Sequence, residues 1–307
     1  MGGSGGSWFP SRNNALTLRD VEERKNEAAY NAEVSSIIDD ALKGYNNRDA
    51  EATNKHLDVL EKALSKEIDG LVEMRFGGSI SKHSYVDGLS DIDVLVNVSD
   101  TKFANHDPQH LLSYFSDLIK ERLPNTKVTT GDMAVTIQYK DGCEIQLLPA
   151  IKTQTGVKVA RADGNGWSNV VRPQKFAEKL TEINKSCSGG VIPIIKLFKG
   201  AQSSFPKDQC LSGYHIESLA VNAFKDYKGS LGKKEMFRHF CDYVSKNVSK
   251  PVADSTGQSV HVDDKLGQAN SMERRKISAT VGRMVSRLDT ADVRHDASKW
   301  GEVLYGE

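Results

Sequence analysis

Phe76-Gly77-Gly78-Ser79, followed after eleven residues by Asp91-Ile92-Asp93 at the head of the apolar run Val94-Leu95-Val96, is the stretch on which the fold turns. Ile92, Val94, Leu95, Val96 and Val98 form a short, β-branched run of strand type. A strand sends residues i and i+2 to one face, so Asp91 and Asp93 project together. Two carboxylates about 4–6 Å apart repel by a few kcal/mol even at an effective dielectric of ~20, and burying them costs more. A divalent cation removes that conflict, and oxygen-only ligands suit Mg²⁺ or Mn²⁺ rather than zinc. With 24 Asp in 307 residues, a D-x-D match arises about once or twice by chance. The pair therefore takes its weight from its setting: a strand, with a small-residue turn ahead of it that suits a phosphate.

Composition sets the outer bounds. At 307 residues, 38% hydrophobic and 27% charged, the chain is long enough for one large or two modest domains with a true core. No apolar run approaches the ~20 residues of a membrane span, and no charged start precedes an apolar centre as in a signal peptide. A cytoplasmic protein with no membrane partner is expected. Cys143, Cys187, Cys210 and Cys241 are isolated, which predicts four buried thiols rather than a disulfide framework or a zinc module. Lys plus Arg and Asp plus Glu both total 41. That balance lacks the positive field of a non-specific duplex binder, so obligate binding to long nucleic acid is not expected. The basic stretch over 273–287 reads as a solvated helix face or a local patch.

Outward from the central stretch, residues 1–17 read as a flexible tail. Charges and apolar residues alternate at helical spacing over 18–45 and 49–68, with Leu57, Leu60, Leu64 and Ile68 as a stripe that Gly70 ends. A strand before the Gly-Gly-Ser turn, a helix over 108–123 and a β-hairpin over 133–148 with a type I′ turn at Asp141-Gly142 complete the first half. After Pro173 the pattern is helical, with gaps near Gly189, over 203–209 and over 251–267. The pattern predicts an α+β chain: a mixed α/β core with N-terminal helices over 18–170 and a helical domain over 171–307.

The second strand of the hairpin reads Cys143-Glu144-Ile145-Gln146-Leu147-Leu148-Pro149-Ala150. Glu144 and Gln146 share one of its faces. A third metal ligand belongs on such a strand beside the D-x-D strand, which makes Asp91, Asp93 and Glu144 the candidate catalytic and metal-binding carboxylates. Two ions held there would lower the pKa of an attacking hydroxyl and shield a triphosphate and its pyrophosphate leaving group.

Gly78-Ser79, Asp91-Ile92-Asp93 and Leu148-Pro149-Ala150 resemble the DNA polymerase β-type nucleotidyltransferase superfamily. Lys196 in Val191-Ile192-Pro193-Ile194-Ile195-Lys196, Leu211-Ser212-Gly213-Tyr214-His215-Ile216-Glu217 and the closing Lys299-Trp300-Gly301-Glu302-Val303-Leu304-Tyr305-Gly306 are similar to the cGAS/DncV-like nucleotidyltransferases (CD-NTases) and the oligoadenylate synthetases. Together these matches run from about residue 70 to the C-terminus. The resemblance implies a polymerase β-like sheet with flanking helices followed by a helical bundle. It implies that Gly78 and Ser79 hold a triphosphate, Asp91 and Asp93 hold two Mg²⁺ (or Mn²⁺) ions, Lys196 reaches the β- and γ-phosphates, and Ser212 and Tyr214 line the nucleotide pocket with the ring stacked on a base. Lys82, His83 and Tyr85 would meet the acceptor.

One position departs from the family pattern. The third acid of the family falls on Gln146, a neutral amide that binds Mg²⁺ weakly and cannot act as a base. Glu144 substitutes for it, or the chain works with two acids and Gln146 at the nucleotide, or catalysis is impaired. The implied activity joins nucleoside triphosphates into a cyclic or short linear oligonucleotide, which a downstream effector would bind during anti-phage defence. Transfer of a nucleotide onto an RNA or protein acceptor, and a sensor that binds nucleotide without turnover, are the alternatives.

Overall fold

Helices α1 (Leu18–Tyr45) and α2 (Ala50–Ser65) precede strands β1 (Gly70–Phe76) and β2 (Ile92–Thr101) in this computed structural model. Helix α3 (Pro108–Arg122), strands β3 (Lys127–Thr130), β4 (Val135–Gln138), β5 (Glu144–Lys152) and β6 (Val157–Val159) follow. The helical half comprises α4 (Pro173–Ser186), α5 (Val191–Ala201), α6 (Gly213–Phe224), α7 (Lys233–Asn247), α8 (Met272–Arg294) and α9 (Ser298–Tyr305). The structure describes residues 18–45, 50–65, 70–76, 84, 92–101, 103, 105–161, 164–256 and 262–306.

The helix boundaries follow local chemistry. Asp107 caps α3 by accepting from the Gln109 N–H at 2.8 Å, and Pro108 opens the first turn, where its missing N–H costs nothing. Ser271 caps α8 in the same way through the Arg274 N–H, and α8 closes on His295 in the left-handed conformation. Gly70, expected to end the second helix, instead opens β1, since α2 stops at Ser65.

The strands form one sheet in the order β1-β2-β5-β4-β3, with β6 paired to β5. β2 and β5 run parallel and the other pairs antiparallel. The β4–β5 connection is a hairpin as predicted, but not through a type I′ turn. Gly142 N–H donates to Tyr139 O at 3.1 Å and Tyr139 N–H to Cys143 O at 2.9 Å, so Lys140, Asp141 and Gly142 form a three-residue loop. Only Gly142 takes a positive φ, +88°. A type I turn closed by a left-handed glycine results, and Asp141 steadies it by accepting from the Cys143 N–H.

Alternation along the strands splits the sheet into a covered and an open face. Ile92, Val94, Val96 and Val98 of β2, with Ile145 and Leu147 of β5, are buried against Leu60 and Leu64 of α2 and Leu111, Leu112, Phe115 and Ile119 of α3. Each such side chain contributes about 1.5–3 kcal/mol of burial. Asp93 and Leu95, with Glu144, Gln146 and Leu148, occupy the other face and are half-buried.

A second apolar cluster joins α4 to α9, and α1 belongs to it: Tyr30, Val34, Ile38 and Ala41 are buried there. Their near-four-residue spacing is one stripe of a helix. Trp300 is fully buried in this cluster, its indole N–H donating to the Tyr30 hydroxyl at 3.0 Å, while that hydroxyl donates to Asp292 at 2.6 Å. Cys187 and Cys241 are buried as expected, whereas Cys143 and Cys210 are partly exposed.

Arg274 departs from the expected solvated face. Its guanidinium is fully buried, pairs with Asp263, and donates to the carbonyls of Val248, Lys250, Asp263 and Gly267. The irregular stretch before α8 is thereby tied to the helix it precedes. Among the described residues, no helix is long and apolar enough to cross a membrane.

Candidate active site

The parallel ladder places Gln146 directly opposite Asp93 and Ile145 opposite Ile92. On the other side of β5, Gln146 pairs with Thr136 and Glu144 with Gln138 of β4. Asp93, Gln146 and Glu144 therefore share the open face of the sheet, with Gln146 at the level of Asp93 and Glu144 one step toward the start of β5. Asp91 lies outside the described residues, as do Gly78, Ser79, Lys82, His83 and Tyr85. Phe76, the last residue of β1, pairs with Val94. The chain thus enters the Gly77-Gly78-Ser79 stretch beside the Asp93 end of β2.

The helical half carries the other candidates. Lys196 is half-buried on α5. Ser212 has a structural duty that spacing did not announce: it caps α6, its hydroxyl accepting from the His215 N–H at 3.3 Å. Tyr214 is half-buried; its ring meets Phe176 edge-on at 4.7 Å and its hydroxyl donates to Asp254 at 3.2 Å. Burial, then the charge of Asp254, hold that phenol well above its ordinary pKa. His215, next to it, is buried with Nε2 3.2 Å from an Asp263 oxygen. Burial pushes its pKa down to about 4, against the pull of Asp263. The Asp263 carboxyl is itself lowered: burial raises it, but hydrogen bonds from Arg274 and the Val252 N–H overcome that.

A buried polar cluster escaped the sequence reading. Lys199, on α5, donates to the Ser84 carbonyl at 2.9 Å and to Glu217 Oε1 at 3.1 Å, and the Ser84 hydroxyl donates to the same Glu217 oxygen at 2.5 Å. Lys199 is 7% exposed, Glu217 1% and Ser84 0%. The available signal was one charged residue in each of two helices at positions otherwise apolar, Lys199 beside Leu197 and Phe198, and Glu217 beside Ile216 and Leu219. Opposite charges buried in neighbouring helices find each other.

Along the open face, past Asp93, lies a cleft of about 1390 Å³ between the sheet and α4. Leu95, Asn97 and Ala150 line it, with Lys152, Arg172 and Lys175 among its cations and Glu178 and Glu182 among its acids. The Ser99 hydroxyl donates to Asn97 and accepts from the Lys152 N–H, fixing the floor. Gly156 permits the wall: a Cβ there would lie 2.2 Å from the Val171 carbonyl oxygen, which accepts the Val157 N–H at 2.9 Å. That close backbone approach sets Arg172 at the cleft.

Solved structures share this fold. CdnC of E. coli MS115-1, solved with ATP, matches with a TM-score of 0.67 at 15% identity, covering 90% of this chain and 97% of that one. CdnG of Bradyrhizobium diazoefficiens, a CD-NTase in complex with GTP, matches at 0.64 and 12% identity over 89% and 95%. Vibrio cholerae DncV, a cyclic AMP-GMP synthase in complex with a linear intermediate, matches at 0.62 and 13% identity over 94% and 89%. The chain has the CD-NTase fold. No family model matches its sequence. No curated protein matches it either.

On the CD-NTase fold, the donors brought together here are all oxygens: a carboxylate at Asp93, an amide at Gln146 and a carboxylate at Glu144. That set suits a hard divalent cation rather than zinc or copper. Among the described residues, no group of three His, Cys, Asp or Glu side chains stands ready to hold a metal. The CD-NTase sheet here therefore carries two carboxylates and an amide on one face, and Asp91 lies two residues before Asp93 in sequence.

Proposed function

We propose that this chain is a nucleotidyltransferase that joins nucleoside triphosphates into a cyclic or short linear oligonucleotide second messenger and releases pyrophosphate. The observation that carries the reading is the pairing of Asp93 with Gln146, Glu144 beside them, on the one face of a CD-NTase sheet that opens into a cleft. Asp91, Asp93 and Glu144 would hold two Mg²⁺ or Mn²⁺ ions, whose chemistry is to acidify an attacking hydroxyl and screen the triphosphate charge. Gly78, Ser79 and Lys196 would grip the donor phosphates, and Ser212 and Tyr214 would shape the base pocket. Gln146, unable to take a proton, would orient the donor through its amide.

The acceptor nucleotide fits the cleft past Asp93, where Arg172 and Lys152 supply charge for its phosphates. Its hydroxyl oxygen forms the new P–O bond at the α-phosphorus as the bond to pyrophosphate breaks. Glu144, on the same face as Asp93, would receive the hydroxyl proton. A cytoplasmic site of action, a role in anti-phage defence and an effector that binds the product complete the proposal.

Gln146 at the level of Asp93 favours a second reading, a sensor that binds nucleotide without turnover. Incubation of the purified chain with the four ribonucleoside triphosphates and Mg²⁺ or Mn²⁺, with products identified by mass spectrometry, separates the two. A parallel set of deoxynucleotides covers linear DNA products, and labelled RNA or protein added to the mixture covers transfer to a macromolecule. Oligonucleotide and pyrophosphate from nucleotides alone are expected. Nucleotide binding with no pyrophosphate under any condition leaves the sensor.

A further inference from the structure

We propose that Lys199, Glu217 and Ser84 form a buried strap that ties Ser84 to α5 and α6, making Lys199 a positioning residue for nucleotidyl transfer; this rests on the function proposed above. Three stretches of chain meet at one ammonium. The first is Ser84, held by both its carbonyl and its hydroxyl. Ser84 follows Ser79 by five residues and precedes Asp91 by seven in sequence. The second is α5, where Lys196 lies one turn before Lys199.

The third stretch is the start of α6. A Cβ built at Gly213 would lie 3.5 Å from Lys199 Nζ and 3.6 Å from its Cε. The ammonium therefore rests against the first turn of α6, between the cap residue Ser212 and Tyr214. Glu217 stands one turn further along that helix and closes the cluster. A buried ion pair is often no more stabilising than apolar side chains of the same volume. What it adds is direction. Hydrogen bonds from one ammonium, carried on the helix of Lys196, tie Ser84 to Glu217 on the helix that Ser212 caps.

The test uses the full chain, with the double variant Lys199→Met/Glu217→Leu to keep the volume and remove the strap, and Ser84→Ala as a milder cut. Thermal stability, hydrogen exchange of amides around position 84, and steady-state kinetics of pyrophosphate release are read together. The double variant is expected to keep its Tm within about 3 °C, to exchange faster around position 84, and to lose about 10- to 100-fold in kcat with a smaller change in KM. Ser84→Ala is expected to follow in the same direction, and Lys199→Arg to recover part of the loss. An unchanged kcat in a folded double variant overturns the proposal whatever the exchange shows; should that variant not fold, Ser84→Ala with native kcat overturns it. A native chain that releases no pyrophosphate sinks the functional reading instead. The strap is then judged on exchange alone, where unchanged rates around position 84 in the folded variant that retains the double change, or in Ser84→Ala, overturn it.

Discussion

Gln146 stands directly across the parallel ladder from Asp93, at the level where a third carboxylate would complete the acidic set, while Glu144 sits one step away on the same face. An amide at that level would spare a metal-free site one negative charge. It would also weaken the hold on a divalent ion.

Gln146→Asp is therefore expected to raise pyrophosphate release by about 10-fold at limiting Mg²⁺, and to lower Tm in metal-free buffer, because a further carboxylate repels Asp93 until a cation arrives. Mg²⁺ titration of both rate and Tm checks it. Glu144→Gln is expected to cost about 100-fold or more in kcat, the scale on which an electrostatic stabiliser of a transferring phosphoryl group is missed. Full activity in that variant removes Glu144 from the chemistry.

Arg172 at the cleft wall leads to a binding prediction. Arg172→Gln is expected to raise KM for the acceptor nucleotide about 10-fold, or about 1.4 kcal/mol, with little change in Tm. The loss should shrink as salt is added, since screening weakens the native contact as well. Kinetics at two ionic strengths measure it.

His215 and Asp263 give the chain a pH-dependent stability. His215 is neutral in the fold, with its pKa pushed down to about 4, whereas an unfolded His binds a proton near its ordinary value of about 6.5. The unfolded state thus binds more protons in that window, and stability falls as pH drops from about 6.5 toward 4. The lowered Asp263 carboxyl adds a further loss in the same direction at still lower pH. Melting temperatures between pH 7 and pH 4 should decline steadily, and His215→Phe should flatten the upper part of that decline.

Trp300 tests the helical cluster. Trp300→Ala removes a fully buried indole and the N–H that the Tyr30 hydroxyl accepts, so a loss of about 3–5 kcal/mol is expected. Urea unfolding followed by far-UV circular dichroism reads it. Trp300→Phe, which keeps most of the volume, should lose less.

Local spacing was enough for much of this. The β-branched run at Ile92 to Val98, the Asp-Pro start of α3 and the helical pattern after Pro173 each carry a strong local periodicity, so the elements stand where that periodicity put them. Asp93, Glu144 and Gln146 share a face for the same reason. The Asp141-Gly142 pair misled because a D-G step fits both a two-residue turn and the end of a three-residue loop; the position of Tyr139 against Cys143 decides between them. Lys199 and Glu217 left a signal as single charges in apolar helix faces, whereas Ser84 was invisible to spacing, since its partners lie 115 and 133 residues away. Arg274 looked like one more surface cation because its carbonyl acceptors belong to a loop with no sequence signature.

The placement of α1 has a mechanical outcome. Its buried stripe lies with α5, α7 and α9, so the polypeptide leaves the helical half after Tyr45, builds the sheet, and returns ahead of Pro173. Two covalent tethers join the halves rather than one. A single proteolytic nick in one of them therefore leaves the halves attached.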